Sequence, residues 1–205
     1  MIMKNKKGVL LISCGLVLIA VSLCMVGFNL YESTKAAKSV EEINAKIDIP
    51  QNKTAVEQPL YITHPDIEMP TKEIDGNSYI GVLEIPSLEL NLPVISQWSD
   101  TTLKIAPSRY AGSAYTDDMV IAAHAYRRHF GQIRQLNTGD SVIFTDIDGN
   151  RFEYTVSFTE ILPSDGVEDM LAGQWDLTMF TCTVDASNRV TVRCTSKNQT
   201  EPRID

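Results

Sequence analysis

The stretch Asp176–Cys194, DLTMFTCTVDASNRVTVRC, restricts the fold of this chain more than any other. Two runs of β-branched, apolar and threonine residues, Leu177–Cys182 and Arg189–Cys194, flank the turn-forming Asp185-Ala186-Ser187-Asn188, which is the pattern of a β-hairpin. Opposed positions in an antiparallel hairpin sum to a constant. A loop of about six residues therefore sets Cys182 opposite Arg189, Phe180 opposite Thr191, and Thr178 opposite Arg193. Opposed residues share a face, so Leu177, Met179, Val190, Val192 and Cys194 collect on one apolar side. The other side carries a thiol beside a guanidinium, with Cα atoms roughly 5 Å apart.

A cation beside a thiol favours the thiolate, the form that attacks carbonyls. Without that neighbour Cys182 reads as a small buried hydrophobe. A thiol nucleophile also needs a proton shuttle. His124 ends the apolar run Met119–Ala123, where a strand fixes its backbone while the ring can face a cleft; by position alone it reads as a satisfied core histidine before it reads as the shuttle, and the resemblance described next reverses that order. His129, within Tyr126-Arg127-Arg128-His129-Phe130-Gly131, reads as a loop residue, and Arg127 and Arg128 as solvated charges. His64 reads as a solvated residue in a linker.

The segment Thr178-Met179-Phe180-Thr181-Cys182, followed by Asn188-Arg189-Val190-Thr191-Val192 and preceded by Ala122-Ala123-His124, resembles the active-site signature of sortases, the cysteine transpeptidases of Gram-positive surfaces. The usual pentapeptide of that family has Leu at the position of Met179, a near-isosteric departure. The resemblance runs roughly from Ser78 to Cys194. It implies an eight-stranded closed β-barrel, where strand count alone leaves a sandwich open. It further implies that Cys182 attacks a Leu-Pro-x-Thr-Gly-like sorting signal between Thr and Gly to form a thioester, which an amine resolves. His124 would serve as general acid and base, and Arg189 would bind the substrate carbonyl or the oxyanion. Thr181, Thr183 and Ala123, flanking those groups, are the expected substrate contacts.

The implied partners are surface proteins or pilins bearing a C-terminal sorting signal, and a cell-wall precursor or pilin amine as acceptor. No cofactor or metal is implied, and the acidic Asp165, Glu168 and Asp169 read as a solvated face. The loop between Cys182 and Arg189 is short for the family and is most similar to class B or class D members. Pilin-polymerising sortases often carry a lid with Asp, Pro and an aromatic in that order. Here the nearest string is His64-Pro65-Asp66, which favours wall anchoring.

Lys4, Lys6 and Lys7 precede an uncharged stretch from Gly8 to Tyr31, long enough to cross a ~30 Å hydrocarbon core as a helix. It exceeds a signal-peptide core, lacks an Ala-x-Ala site, and has no small-residue lipoprotein site before Cys14 or Cys24. The expectation is a single-pass cell-membrane anchor with a cytoplasmic N-terminus and an extracellular catalytic domain. The net charge of −8 includes the three N-terminal lysines, so the remainder carries −11, which argues against nucleic acid as a partner. Cys194 lies five residues up the strand from the position opposite Cys182, beyond the reach of a disulfide, and points to the apolar face.

The expected organisation is a cytoplasmic end over 1–7, an anchor over 8–31, a polar spacer over 32–75, a catalytic domain over 76–196 and a tail over 197–205. Ala36, Val40, Ile43 and Ile47 predict a short helix from Ser33 to Ile47 after a Ser/Thr cap. The spacer should share little apolar surface with the barrel. Strands are predicted at Tyr79–Ile85, Leu88–Ile95 (at an edge or interrupted, because of Pro93), Met119–Ala123, Asp140–Asp146 and Arg151–Ile161, with a turn at Asp148-Gly149-Asn150. Helical turns are predicted at Asp100–Ile105, capped by Ser99 or Asp100, and at Ser164–Leu171, capped by Ser164. On the hairpin register Arg193 stands ~13 Å from Arg189 and acts only by packing against Thr178.

Two other functions suit parts of the pattern. An exported cysteine peptidase or amidase would pass its acyl group to water, but its Cys more often starts a helix and precedes its His. A membrane-tethered barrel that only binds wall peptides would need no activated Cys182.

Overall fold

Every buried backbone N–H and C=O needs a partner, and short strands of alternating pattern meet that need by pairing until the sheet closes on itself. The computed structural model describes residues 6–50, 59–171, 173–183 and 185–197. Among these the strands are β1 (Lys72–Ile74), β2 (Asn77–Ile85), β3 (Leu90–Ile95), β4 (Ser108–Ala111), β5 (Met119–Ala122), β6 (Ser141–Asp146), β7 (Arg151–Pro163), β8 (Leu177–Cys182) and β9 (Asn188–Ser196). They bond in the order β1-β2-β3-β4-β5-β8-β9-β7-β6, and β6 pairs back onto β2. Strands β2 to β9 thus form an eight-stranded closed barrel, with β1 added at one end of β2. Leu83, Leu92, Phe144, Val156, Met179, Val192 and Cys194 fill the interior and are essentially inaccessible.

Local chemistry explains most elements. Pro93 lacks an N–H, and β3 tolerates it because β3 pairs with β2 along its length but meets β4 only at Ile95↔Ser108. The turn before β7 has Gly149 at φ +82°, a left-handed conformation that glycine adopts without steric penalty. Ser99 accepts a hydrogen bond from Thr102 N–H (3.0 Å) and the Thr102 hydroxyl accepts one from Ser99 N–H (2.8 Å), so Ser99 organises the short helical turn Thr102–Lys104. The helical turn before β8 is shorter than predicted: α3, at Val167–Met170, starts after Gly166 and has no side-chain cap, so Ser164 does not cap it.

The chain divides into two compact units, one ending at Lys35 and the next beginning at Ala36. A helix from Lys6 to Lys46 runs through the division, and another, Leu60–Thr63, follows it; numbered in chain order these are α1 and α2, ahead of α3. Within the first unit, the uncharged part of α1 is a candidate membrane span, with its large apolar side chains exposed. Lys4 and the tail beyond 197 lie outside the described residues.

Two expectations are corrected. The helix predicted from Ser33 has no separate start, because Ser33 lies inside α1, where in the first unit the Thr34 hydroxyl donates to the Leu30 carbonyl (2.8 Å). The spacer also shares substantial apolar surface with the barrel. Ala36, Val40, Ile43 and Met69 are all under 9% exposed; Val40 and Met69 join the main core, and Ile43 packs with Ile74, Tyr79, Ile95 and Ala106. Asn44 donates to the Asn91 carbonyl (2.8 Å), and Lys46 pairs with Asp75. The spacing of Ala36, Val40 and Ile43 places them on one helix face, and that face needs a partner.

A fully buried Val, Ile or Met side chain contributes about 1.5–3 kcal/mol. A chain shortened to begin at Ile74 is therefore expected to melt well below one beginning at Ser33, and to bind a hydrophobic dye that the longer chain does not. Equal melting temperatures in a thermal scan would show that the Ala36–Met69 segment contributes nothing to the fold.

Candidate active site

The hairpin of β8 and β9 has the register derived from the sequence: Cys182↔Arg189, Phe180↔Thr191, Thr178↔Arg193 and Leu177↔Cys194. Thr183 N–H bonds the Asn188 carbonyl (2.9 Å) and closes the loop. Asp185 ties it further by accepting from the Ser187 and Thr183 hydroxyls. These hydrogen bonds hold the Asp185 carboxyl down at about 2.

The decisive neighbour of β8 is β5, which pairs with it in parallel from Met119↔Leu177 to Ala122↔Phe180. Beyond the strand end the same offset continues, with Ala123 N–H on the Phe180 carbonyl (3.1 Å) and the Thr181 hydroxyl on the Ala123 carbonyl (2.7 Å). One step further the offset places His124 level with Cys182. Continued past the end of β5, that offset sets His124 in one row with Cys182 of β8 and Arg189 of β9, at strand spacings of about 4.8 Å. Alternation puts this row on the outer face, with Val120, Ala122, Thr178 and Phe180 below it.

That face forms the floor of a cleft of about 260 Å³, to which His124, Cys182 and Arg189 all contribute. Trp98, Leu103 and Tyr110 make one wall, and Pro163, Val167 and Met170 the other. The aromatic wall is continuous: the Trp98 and Tyr110 ring centroids are 5.2 Å apart, and Tyr110 meets Phe180 edge-on at 5.3 Å. Of the expected substrate contacts, Thr181 and Ala123 border the cleft, but the Thr181 hydroxyl is donated to the Ala123 carbonyl. Thr183 is not among the cleft-lining residues, and its hydroxyl serves the hairpin loop. Trp98 and Tyr110 were not legible as site residues in the sequence, since they reach the cleft only through the β4–β5–β8 pairing.

The two arginines of β9 differ in kind. Arg189 is half-buried at the cleft, with Nη1 donating to the Ala186 (3.3 Å) and Asn188 (3.1 Å) carbonyls. Its Nε and Nη2 have no hydrogen-bond partner among the described residues, so planar donors remain for a substrate oxygen. Arg193 is 2% exposed. Its Nε pairs with Glu160 (2.7 Å), while Nη1 bonds Thr178 Oγ1 (3.0 Å) and the Met170 carbonyl (3.2 Å), and Nη2 bonds the Asp169 carbonyl (2.5 Å). The expectation that Arg193 only packs against Thr178 is therefore too weak, because it fastens α3, one wall of the cleft, to the sheet.

The Sortase domain model matches residues 83–197, more than half of the chain. The chain belongs to the sortase family. It is 27% identical over 173 residues to sortase A of Bacillus anthracis, covering 77% of this chain and 80% of that one. Its fold is similar to that of Clostridium perfringens sortase D5 (TM-score 0.54, 16% identity, covering 80% of this chain and 98% of that one). It is also similar to that of Streptococcus pneumoniae sortase C (0.53, 19%, 84% and 92%). Sortase A of Corynebacterium diphtheriae scores alike (0.52, 17%, 84% and 86%), so the fold by itself does not select a class.

In this sortase the loop after His124 folds back under it. Phe130 N–H bonds the His124 carbonyl (3.2 Å), and the rings of His124, Tyr126 and His129 follow one another with centroids 5.1 and 5.5 Å apart. Gly131 closes the loop where a Cβ would lie 2.7 Å from the Ala125 carbonyl. His129 reads in sequence as a loop residue, yet it is fully buried, with its ring beside the backbone of Ala36 and Ile105. Burial, and secondly the neighbouring His124, push it down from 6.5 to about 4. Burial likewise pushes the Cys194 thiol up, which makes it an inert core residue.

Two measurements follow from these geometries. Above pH 6.5 His129 is neutral in both folded and unfolded chains. Between 6.5 and 4 only the unfolded chain gains the proton, so stability falls as pH falls, by on the order of 3 kcal/mol in all. Thermal melts should show a steeper acid loss for the parent than for His129→Phe, and parallel curves would exclude a buried neutral imidazole. Arg193→Ala leaves Glu160, Thr178 and two carbonyls short of a donor, and is expected to destabilise by roughly 2–4 kcal/mol. Arg189→Ala, at a half-open cleft, should melt within about 1 kcal/mol of the parent.

Proposed function

We propose that His124, Cys182 and Arg189 are the catalytic residues of a sorting-signal transpeptidase, and that the row they form across three adjacent strands is the observation that carries this reading. Cys182 Sγ attacks the carbonyl carbon between Thr and Gly of a Leu-Pro-x-Thr-Gly-like signal. Arg189 donates to the oxygen that becomes negative, in a site where its fork is already oriented by the Ala186 and Asn188 carbonyls. His124 protonates the departing glycine amine, leaving a thioester, and later takes a proton from the incoming amine. The mostly apolar walls accommodate the Leu-Pro end of the signal.

The acceptor we infer is a cell-wall amine, with wall anchoring favoured over pilus assembly. Among the described residues none from 59 to 75 lines the cleft, and Tyr61 of α2 instead stacks on Tyr115 (4.5 Å, 11°), which supports a cleft left open to a bulky acceptor. The lysines before the apolar helix support a cytoplasmic N-terminus and an external catalytic domain.

The full-length chain in detergent, incubated with a Leu-Pro-x-Thr-Gly peptide set and an amine, should give an acyl adduct on Cys182 by intact mass and an amide product. Cys182→Ala should give neither. Arg189→Ala should lower kcat on the order of 10²–10³, the scale of one lost oxyanion donor, with poor rescue by Arg189→Lys. An adduct that forms and then passes only to water would indicate a peptidase. A chain whose Cys182 never acylates would be a binding module.

A further inference from the structure

Arg127 and Arg128 sit in the loop between β5 and the helical turn Ile133–Gln135, outside the catalytic row, and do not line the Cys182 cleft. Both are exposed and form no ion pair among the described residues, and Lys104, at the end of the turn Thr102–Lys104, is in the same state. The chain has 26 acidic residues, yet none falls from 101 to 116 or from 119 to 139, the two segments that hold these cations. Like charges gathered without counter-charges repel one another. In a chain that carries −11 beyond its N-terminal lysines, this acid-free region therefore marks a surface suited to an anion.

The fold gathers the three side chains around one contact. The His129 ring lies beside the backbone of Ala36 and Ile105, and Arg128 directly precedes His129 as Lys104 directly precedes Ile105. Arg128 also lines a hollow with Ala37 and Val40 of α1, where Glu41 and Glu89 are present but do not pair with it. Ala36 is the first residue of the second unit, and Tyr31, which ends the uncharged stretch, is five residues earlier. Five residues span at most about 18 Å even fully extended, a bound that holds at any angle between the two units. The unpaired cations thus surround the point where the chain enters the catalytic unit. At the other end of the docked helix the cations are paired, Lys46 with Asp75 and Arg151 with Glu153.

We propose that Lys104, Arg127 and Arg128 form a docking surface for the phosphate groups of anionic lipids in the bilayer that anchors the chain. This rests on the single-pass anchor and not on the transpeptidase reading. The tether keeps the surface beside the headgroups at all times, so no diffusional search opposes the contact, and each cation near an anionic membrane strengthens it roughly fivefold. Two adjacent arginines suit this partner, because each planar fork spans two phosphate oxygens. The loop from His124 to Gly131 carries both of them. The contact therefore holds that loop and keeps the His124 end of the cleft close to the membrane.

Hydrogen exchange of the full-length chain in nanodiscs tests this, comparing phosphatidylcholine alone with a mixture containing one-third phosphatidylglycerol. The reading is the exchange rate of peptides covering 102–106 and 124–131 against one covering 141–155, on β6 and β7. The anionic lipid is expected to slow the first two about five- to tenfold and to leave the third unchanged, and salt at about 0.5 M should remove the difference. The triple substitution Lys104→Ser, Arg127→Ser, Arg128→Ser should abolish the difference without lowering the melting temperature. Arg127→Lys with Arg128→Lys should keep most of it, and Arg151→Ser all of it. Equal exchange in the two lipids overturns the surface, as does a difference that survives the triple substitution. Slowing by soluble polyphosphate in phosphatidylcholine discs, with none by phosphatidylglycerol, also overturns it and assigns the cations to a soluble polyanion. Size exclusion separates the two levels of failure. If the chain elutes free of nanodiscs, the anchor falls and the surface falls with it. If the chain inserts and its exchange ignores the lipid, only the surface is wrong.

Discussion

The parallel pairing of β5 with β8 is the contact on which the site depends. It is short, and parallel ladders are no stronger per residue than antiparallel ones. Its offset nevertheless decides which side chain stands beside Cys182. The Thr181 hydroxyl on the Ala123 carbonyl, buried where water cannot compete, extends the pairing past the last strand bond to the residue before His124. Barrel closure through β2 and β6 then keeps these strands from sliding, because a shift at one seam would have to be matched around the ring.

The outer face of the same strands needs cover, and the cover forms the cleft walls. Arg193 is the main fastener, with four bonds reaching Glu160, Thr178 and the carbonyls of Asp169 and Met170. A buried guanidinium is tolerated because its donors are well satisfied there. Arg189, four residues along the same strand and face, keeps free donors because its end of the hairpin opens into the cleft. Two residues of one type on one face thus serve different ends, and what separates them is the depth of cover.

Beneath His124 the buried His129 lies where the return loop approaches the backbone of Ala36 and Ile105. Ala36 is also where the second compact unit begins, and Val40 and Ile43 bind the same helix to the barrel. The histidine loop and the end of α1 are therefore packed as one body within that unit, and the polar composition of the spacer conceals this. Charged and polar residues take 11 of the 19 positions from 32 to 50, while one apolar residue per helical turn is enough to dock the segment.

The hairpin register, the thiol beside Arg189, the apolar helix near the N-terminus and the histidine at the end of β5 were all legible in the chain itself. Each rests on local rules: period-two alternation, turn residues, and the length of an uncharged run. Closure of the barrel came from family resemblance, since counting strands cannot separate a barrel from a sandwich. Tertiary structure alone decided the partners that are distant in sequence. It set β5 beside β8 at an offset of 58 residues, brought Trp98 and Tyr110 to the cleft, buried His129 and Arg193, and laid Ala36–Ile43 on the barrel. Those outcomes follow from satisfying buried backbone groups and apolar area across the whole ring at once, a condition that no single stretch of sequence contains.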